Sequence, residues 1–533
     1  MALFLSIFPI VLLIYLMVKR NAMPSYIALP LIAAIVYVLQ LAYFQSDFTL
    51  LNANIVSGII SVLTPITVIF GAILFNRMME VSGAMNTLRQ WLGNINPNPV
   101  AQVMIIAWAF GFMIEGASGF GTPAAIAAPI LVGLGFNPLR VAMVALVMNS
   151  VPVSFGAVGT PTWFGFGPLL KDGLISDVQM LEIGSMTSLI HAFAALVIPV
   201  MALRFIVSGK EIRQNLGYIY ISVFACVIPY ILLAQVNYEF PSLVGGAIGL
   251  FVSVWAANKG LGLSKEHGHL KGEKVSVGQV AKALLPTGLL IAILVVTRIQ
   301  QLPFKAFMND ATTIFQASLG YLGSFEIGKG LVFSLKNIFE TGVGSNYKLL
   351  YVPALIPFVV TVLICVPVFS LSGSKVANIF ATSTKQVQKP FLALVGALIM
   401  VNLMLVGGEN SMVQIIGRGL ADATGHYWTV FASFLGAIGA FFSGSNTVSN
   451  LTFGAVQYSV ANATGLSLTL ILALQSVGGA MGNMVCINNV IAVSSVLNID
   501  NQEGTIIKKT VMPMMIYGII AALVALLVIP VLY

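Results

Sequence analysis

The stretch IEGASGFGTP, residues 114–123, decides how this chain folds. It lies inside a run apolar enough for a membrane, yet it holds Glu115, three glycines, Ser118, Thr122 and Pro123. A helix broken at membrane depth exposes backbone N–H and C=O groups, each costing several kcal/mol without water. Such breaks survive only where they line a cavity or a ligand site. Gly116, Gly119 and Gly121 permit a turn, Ser118 and Thr122 offer hydroxyls, and Pro123 suits the first turn of an outgoing helix. The stretch therefore reads as the tip of a helical hairpin built to hold something.

The composition agrees. The 533 residues are 58% hydrophobic and only 8% charged, with a mean hydropathy of +0.98; soluble domains carry about 25% charge. Apolar runs of near-spanning length recur throughout, whereas barrel strands would alternate over about ten residues. The class is an all-α polytopic membrane protein. The net charge of +8 falls between the apolar runs, where it sets topology and is no nucleic-acid signal. Cys226, Cys365 and Cys486 all lie in apolar segments and imply packing, with no disulfide framework. The opening MALFLSIFPIVLLIYLMVKR has its charges after the apolar run and no small-residue cleavage site. It reads as a retained first helix and not a signal peptide.

Twelve spans are expected, at 3–18, 24–44, 55–79, 139–160, 183–203, 217–236, 241–257, 280–298, 349–370, 391–406, 467–496 and 511–532. Two further apolar stretches, 99–136 and 427–465, are broken at their centres into halves of marginal spanning length. Both read as re-entrant hairpins. With Lys19 and Arg20 placed in the cytoplasm, this threading puts 18 of the 25 basic residues inside. Most of the rest fall in one long loop, 299–348. Both termini then lie on the outer side, and the two hairpins open to opposite faces.

Opposite opening implies an inverted repeat, and the sequence carries traces of one. Glu80 and Ser82, with Arg89 beyond, match Glu409 and Ser411, with Arg418 beyond, 329 residues later. The first tip at Glu115 aligns with Ser443 at an offset of 328, and Asn149-Ser150-Val151 with Gly156 aligns with Gln475-Ser476-Val477 with Gly482 at an offset of 326. The chain thus divides into a first half, 1–257, a cytoplasmic linker, 258–279, and a second half, 280–533. Within the second half, 375–389 reads equally as an interfacial helix or as a solvated connection.

Two broken segments in corresponding positions of two halves mark a transport site. A half-helix N-terminus carries about half a positive charge, and glycine-rich turns let backbone approach an anion. The candidate substrate contacts are Gly116, Ser118, Gly119, Gly121, Thr122, Asn149, Ser150 and Ser154 from the first half. Ser443, Ser445, Asn446, Thr447, Gln475, Ser476 and Asn483 come from the second. The bland alternative is that small and polar residues merely join helices; it suits scattered glycines better than clustered, repeat-related breaks. Glu115 is the leading candidate for carrying a coupled proton, against a plain hairpin cap. His191 and Glu409 are further candidates. His191 in an apolar helix is more often a helix–helix hydrogen bond, and the spacing of Glu409 to Arg418, like that of Glu80 to Arg89, suggests ion pairs. No metal cluster, cofactor motif or Walker sequence is present, so ATP drive is not expected.

The run IEGASGFGTPAAIAAPILVGLGFNP, 114–138, resembles the signature region of the bacterial L-lactate permease family. The resemblance extends over the whole chain. It implies import of L-lactate, and of D-lactate and glycolate, with protons across the bacterial inner membrane. It also implies membership of the ion-transporter superfamily, whose members pair two inverted repeats, each with a hairpin. Ser445-Asn446-Thr447 matches tips that bind sodium and a substrate carboxylate in that wider group. The first tip departs from that pattern, reading Ser118-Gly119-Phe120-Gly121-Thr122 beside Glu115, which favours the proton over sodium. The partners expected are a 2-hydroxy monocarboxylate, protons and the lipid bilayer, with room left for a homodimer. A sodium-coupled carboxylate symporter and an anion channel are the alternatives. A remote one is an intramembrane serine protease, since Gly116-Ala117-Ser118-Gly119 is a G-x-S-G string and His191 would be its base.

Overall fold

Helices fill the apolar runs because a long apolar segment can satisfy its backbone only internally. A computed structural model describes residues 1–18, 23–119, 122–264, 275–298, 302–352, 355–499 and 502–532. Among them nine helices are long and apolar enough to cross a membrane, or ten if Pro138–Met148 and Pro152–Lys171, bent by 59°, form one broken span. Twelve spans were expected. The runs at 3–18 and 349–370 form the shorter apolar helices Ala2–Met17 and Leu355–Val368, and 183–203 is divided after Ala195. Pro99–Ser118, expected as a hairpin arm, is itself 20 residues long. Lys19, Arg20 and most of the linker fall outside the described residues.

The chain forms two compact units. The first contains Met1–Ala84 and Leu284–Leu420. Its helix Ser25–Ala42 lies against Gly373–Leu405, where a side chain on Gly396 would strike the backbone at Leu29 and Pro30. Gln40 Nε2 seals the pair by donating to the Leu403 carbonyl at 2.6 Å. The stretch 375–389 belongs to the beginning of this single 33-residue helix, largely exposed but burying Ile379 and Ser383.

The long loop 299–348 carries a four-stranded antiparallel sheet in the order β1-β2-β3-β4 (Thr313–Ser318, Ser324–Gly328, Val332–Lys336, Ser345–Lys348). Short runs such as TIFQAS and VFSLK, separated by glycine and asparagine turns, are strand signals that a search for helical spans passes over. Leu335 and Ile338 bury against Ala53 of helix Phe48–Ser61, and Ser61 Oγ meets Ser345 Oγ at 3.0 Å. The ammonium of Lys336, 2.7 Å from Glu326, holds that carboxyl below its usual range.

The second unit contains Met85–Ala283 and Ala421–Tyr533. Both broken stretches lie in it, each as two helices packed on each other. In the first, Pro99–Ser118 runs in, and Thr122–Gly133 runs back. Gly93, before the first arm, approaches Leu134, after the second, so the stretch starts and finishes at one end. The first arm includes a π-helical turn, Met104–Phe110, an irregularity found often near functional sites. In the second, Trp428–Ser443 runs in and Asn446–Thr464 runs back. Trp428 Nε1 donates to Gln457 Oε1 at 2.7 Å, joining the start of one arm to the far part of the other.

Of the two expected ion pairs, that of Glu80 with Arg89 gives way to other partners. Glu80 pairs with Arg77, one turn earlier, at 2.8 Å. Its helix ends at Val81, and Gly83 at φ 77° turns the chain before Arg89, which donates to Asn86 Oδ1. Glu409 sits exposed in a short 3-10 turn of the first unit.

Candidate functional site

The two hairpin tips meet at one pocket within the second unit. Glu115 and Gly119 contribute from the first tip, and Gly444, Ser445, Asn446 and Thr447 from the second. Val153, Gly156, Ala157, Pro161 and Asn483 complete the lining. Each tip breaks for a local reason. Gly119 adopts φ 58°, ψ −154°, a conformation open essentially to glycine alone, and Gly444 ends the incoming helix of the second hairpin at φ 73°. Ser445 then caps the outgoing helix by accepting from the Val448 N–H at 3.3 Å. The first N–H groups of that 19-residue helix, at Asn446 and Thr447, have no carbonyl a turn earlier to bond. Asn446 and Thr447 both line the pocket, at the positive end of the helix.

Glu115 stands on the opposite tip. It is buried, and Asn149 Nδ2 donates to its Oε2 at 3.0 Å. Its Oε1 occupies the space that a side chain on Gly156 would fill. The pocket wall behind it is an unusual piece of backbone. Ala157, Val158 and Gly159 take φ values of 44°, 55° and 72°, a left-handed turn inserted between a 3-10 turn, Pro152–Phe155, and the helix that follows. For a β-branched valine this is an outlier, and such strain persists only where surrounding structure enforces it. Gly159 is required there because a side chain would strike the Tyr238 carbonyl.

Of the sequence candidates, Glu115, Gly119, Ser445, Asn446, Thr447 and Asn483 line the pocket. The others have neighbouring partners. Gly116 lets helix Pro241–Asn258 approach, since its side chain would meet the Leu243 backbone. Ser118 Oγ donates to the Ile114 carbonyl at 3.0 Å and Ser150 Oγ to that of Val147 at 2.7 Å. Ser443 Oγ donates to Gly439. Gln475 joins Gln457, Ser449 and Asn450. Ser154 and Ser476 bond each other at 3.0 Å. Gly121 and the side chain of Thr122 lie outside what is described. His191 is buried between Ser154 and Tyr517. Ser118 and His191, the imagined protease pair, thus bond elsewhere. Among the described residues no group of three His, Cys, Asp or Glu could hold a metal ion.

Residues missed from sequence are those of the wall. Gly156 carried one signal, its repeat match to Gly482; Ala157 carried none.

A helical chain this apolar, with broken helices lining a pocket that holds a buried carboxyl, is an integral membrane protein of the permease kind. The chain belongs to the L-lactate permease family, whose sequence pattern matches residues 2–532. It is 70% identical to a Haemophilus influenzae protein named "Putative L-lactate permease", over 99% of each chain. It is 24% identical to the Escherichia coli glycolate permease GlcA, over 88% of this chain and 85% of that one. Among solved structures, that of Neisseria gonorrhoeae MtrF covers 97% of each chain, with 14% identity and a TM-score of 0.46.

Proposed function

We propose that this protein is a secondary transporter that imports L-lactate, with D-lactate and glycolate, together with a proton across the bacterial inner membrane. The relatives named for L-lactate and glycolate support the substrate class. The carrying observation is the pocket, where a buried carboxyl faces the N-terminal turn of a long helix. In this reading the substrate carboxylate takes the N–H groups at Asn446 and Thr447, with Ser445 and Asn483 beside it. Glu115 carries the proton. Protonated on the outer side, it removes a negative charge beside the incoming anion; deprotonated inside, it repels the anion toward release. Glu409, exposed in the first unit, and His191, enclosed by two hydroxyls, have no such position.

The same reading makes the two hairpins re-entrant and the halves inverted repeats, with both termini periplasmic. The 12-residue arm Thr122–Gly133 rises about 18 Å, short of the roughly 30 Å hydrocarbon core. Ser118, Asn446 and Thr447 at the tips are buried in protein. The unit boundaries also support a repeat: they follow residues 84 and 420, 336 apart, near the offset of the matched motifs. The test is uptake of labelled L-lactate into proteoliposomes. A pH gradient, acid outside, should drive accumulation, and a sodium gradient alone should not. Accumulation by sodium alone, or flux that never exceeds equilibrium under either gradient, would replace this reading with a sodium symporter or a channel.

A further inference from the structure

A buried line of hydrogen bonds leaves the pocket at Asn446 and ends on Tyr517. Asn446 Nδ2 donates to the Ser476 carbonyl at 3.0 Å and to Ser154 Oγ at 3.3 Å. Ser476 Oγ donates to Ser154 Oγ at 3.0 Å. Ser154 Oγ lies 2.8 Å from His191 Nε2, and His191 Nδ1 bonds the Tyr517 hydroxyl. All five residues are buried, and they come from five separate elements of the second unit.

Ser154 Oγ is where the line branches. Its one proton can go to the Ser476 carbonyl at 3.1 Å or to His191 Nε2, and its lone pairs face the Ser476 hydroxyl and the Asn446 amide. His191 Nε2 bonds that oxygen as acceptor in one tautomer and as donor in the other, while the Tyr517 hydroxyl bonds Nδ1 in the complementary sense. Asn446 depends on this arrangement. Its Oδ1, packed against Gly479, has no hydrogen-bond partner among the described residues, so its amide is fixed through nitrogen alone.

We infer that His191 is a positioning residue for the substrate pocket: its Nε2 holds the Ser154 hydroxyl in place, and Ser154 Oγ in turn holds the Asn446 amide at the second hairpin tip. The inference rests on the reading of the pocket as the substrate site. It gives His191 no share in carrying the proton.

Uptake kinetics of labelled L-lactate in proteoliposomes test it with four variants. Asn446→Ala tests the site itself. His191→Ala and Ser154→Ala should each raise KM about two- to tenfold, the range for one buried neutral hydrogen bond, with a maximal rate near that of the native protein. The His191→Ala/Ser154→Ala double variant should be no worse than Ser154→Ala alone, because both act on one bond. His191→Gln, whose amide can accept from Ser154 or donate to it, should recover much of the KM. If Asn446→Ala leaves KM unchanged, the pocket reading fails. If Asn446→Ala raises KM but Ser154→Ala does not, the positioning role is overturned, and this holds even where His191→Ala does not fold. Additive effects of His191→Ala and Ser154→Ala overturn it too, as would loss of pH-driven accumulation at unchanged KM in His191→Gln.

Discussion

Asn149 Nδ2 donates to Glu115 Oε2 at 3.0 Å, and this bond joins the first hairpin tip to the broken segment behind it. Asn149 was a substrate candidate on sequence, but its amide is turned to the carboxyl. Asn149 Oδ1 is buried and without a partner among the described residues. A flip of the amide would present it to a protonated Glu115, so one side chain can serve both protonation states.

The first prediction concerns drive. Lactate is an anion at neutral pH, and a negative cell interior opposes its entry by about 2.3 kcal/mol per 100 mV. A co-transported proton cancels that charge. Glu115→Gln keeps the side-chain shape and the Asn149 contact in a flipped amide, but it cannot cycle a proton. The variant should exchange labelled for unlabelled lactate at a rate near that of the native protein and lose accumulation driven by a pH gradient. Normal accumulation would move the coupling proton to another group.

Two glycines, one on the carboxyl-bearing tip and one in the wall behind it, should fail differently. A side chain at Gly116 would meet the Leu243 backbone, which cannot yield cheaply. Gly116→Ala should cost about 1–3 kcal/mol of stability and lower the yield of monodisperse protein. A side chain at Gly156 would meet the Glu115 side chain, its Oε1 first. Gly156→Ala should leave melting temperature close to native and reduce uptake strongly by displacing the carboxyl from Asn149. Equal thermal stability and opposite transport behaviour in the pair would contradict the assigned contacts.

The left-handed turn offers a third test. Ala157 sits at φ 44° with its side chain beside Gly119. The left-handed region costs a non-glycine residue roughly 1–2 kcal/mol. Ala157→Gly should therefore raise the melting temperature in detergent, while freedom at the pocket wall should lower the affinity for lactate. A lower melting temperature would mean that the methyl group contributes more by packing than the turn costs.

Much of this fold can be read in the sequence, because glycines and polar residues inside apolar runs violate the pattern around them. That violation located both tips, and the repeat spacing linked Ser445, Asn446 and Thr447 to the stretch at Glu115. Side-chain direction was harder. Asn149, Ser150, Ser154 and Gln475 have the same composition and setting as the lining residues, yet they bond their neighbours. Inside a 3-10 turn and a left-handed turn, the helical period no longer says which way a residue faces. Ala157 and Val158 gave no hint, since left-handed turns announce themselves by glycine or asparagine. Glu80 was misassigned to Arg89 because matched spacing between two halves says nothing about the turn at Gly83.

The last prediction concerns topology. Each hairpin starts and finishes at one end: Gly93 lies near Leu134 in the first, and Trp428 bonds Gln457 in the second. If the halves are inverted repeats, those two ends face opposite sides of the membrane. Gly133 is exposed with open space where a side chain would go, and Tyr427 is 77% exposed. Single cysteines at these positions can therefore be reached by a membrane-impermeant maleimide, whereas Cys226, Cys365 and Cys486 are buried and should stay silent. Gly133→Cys should label only in inside-out vesicles, and Tyr427→Cys only in intact spheroplasts. The charge distribution along the chain sets this sign, because basic residues gather on the cytoplasmic side. Labelling of both from one face would leave two hairpins opening the same way, and the inverted repeat would have to be abandoned even with the shared pocket intact.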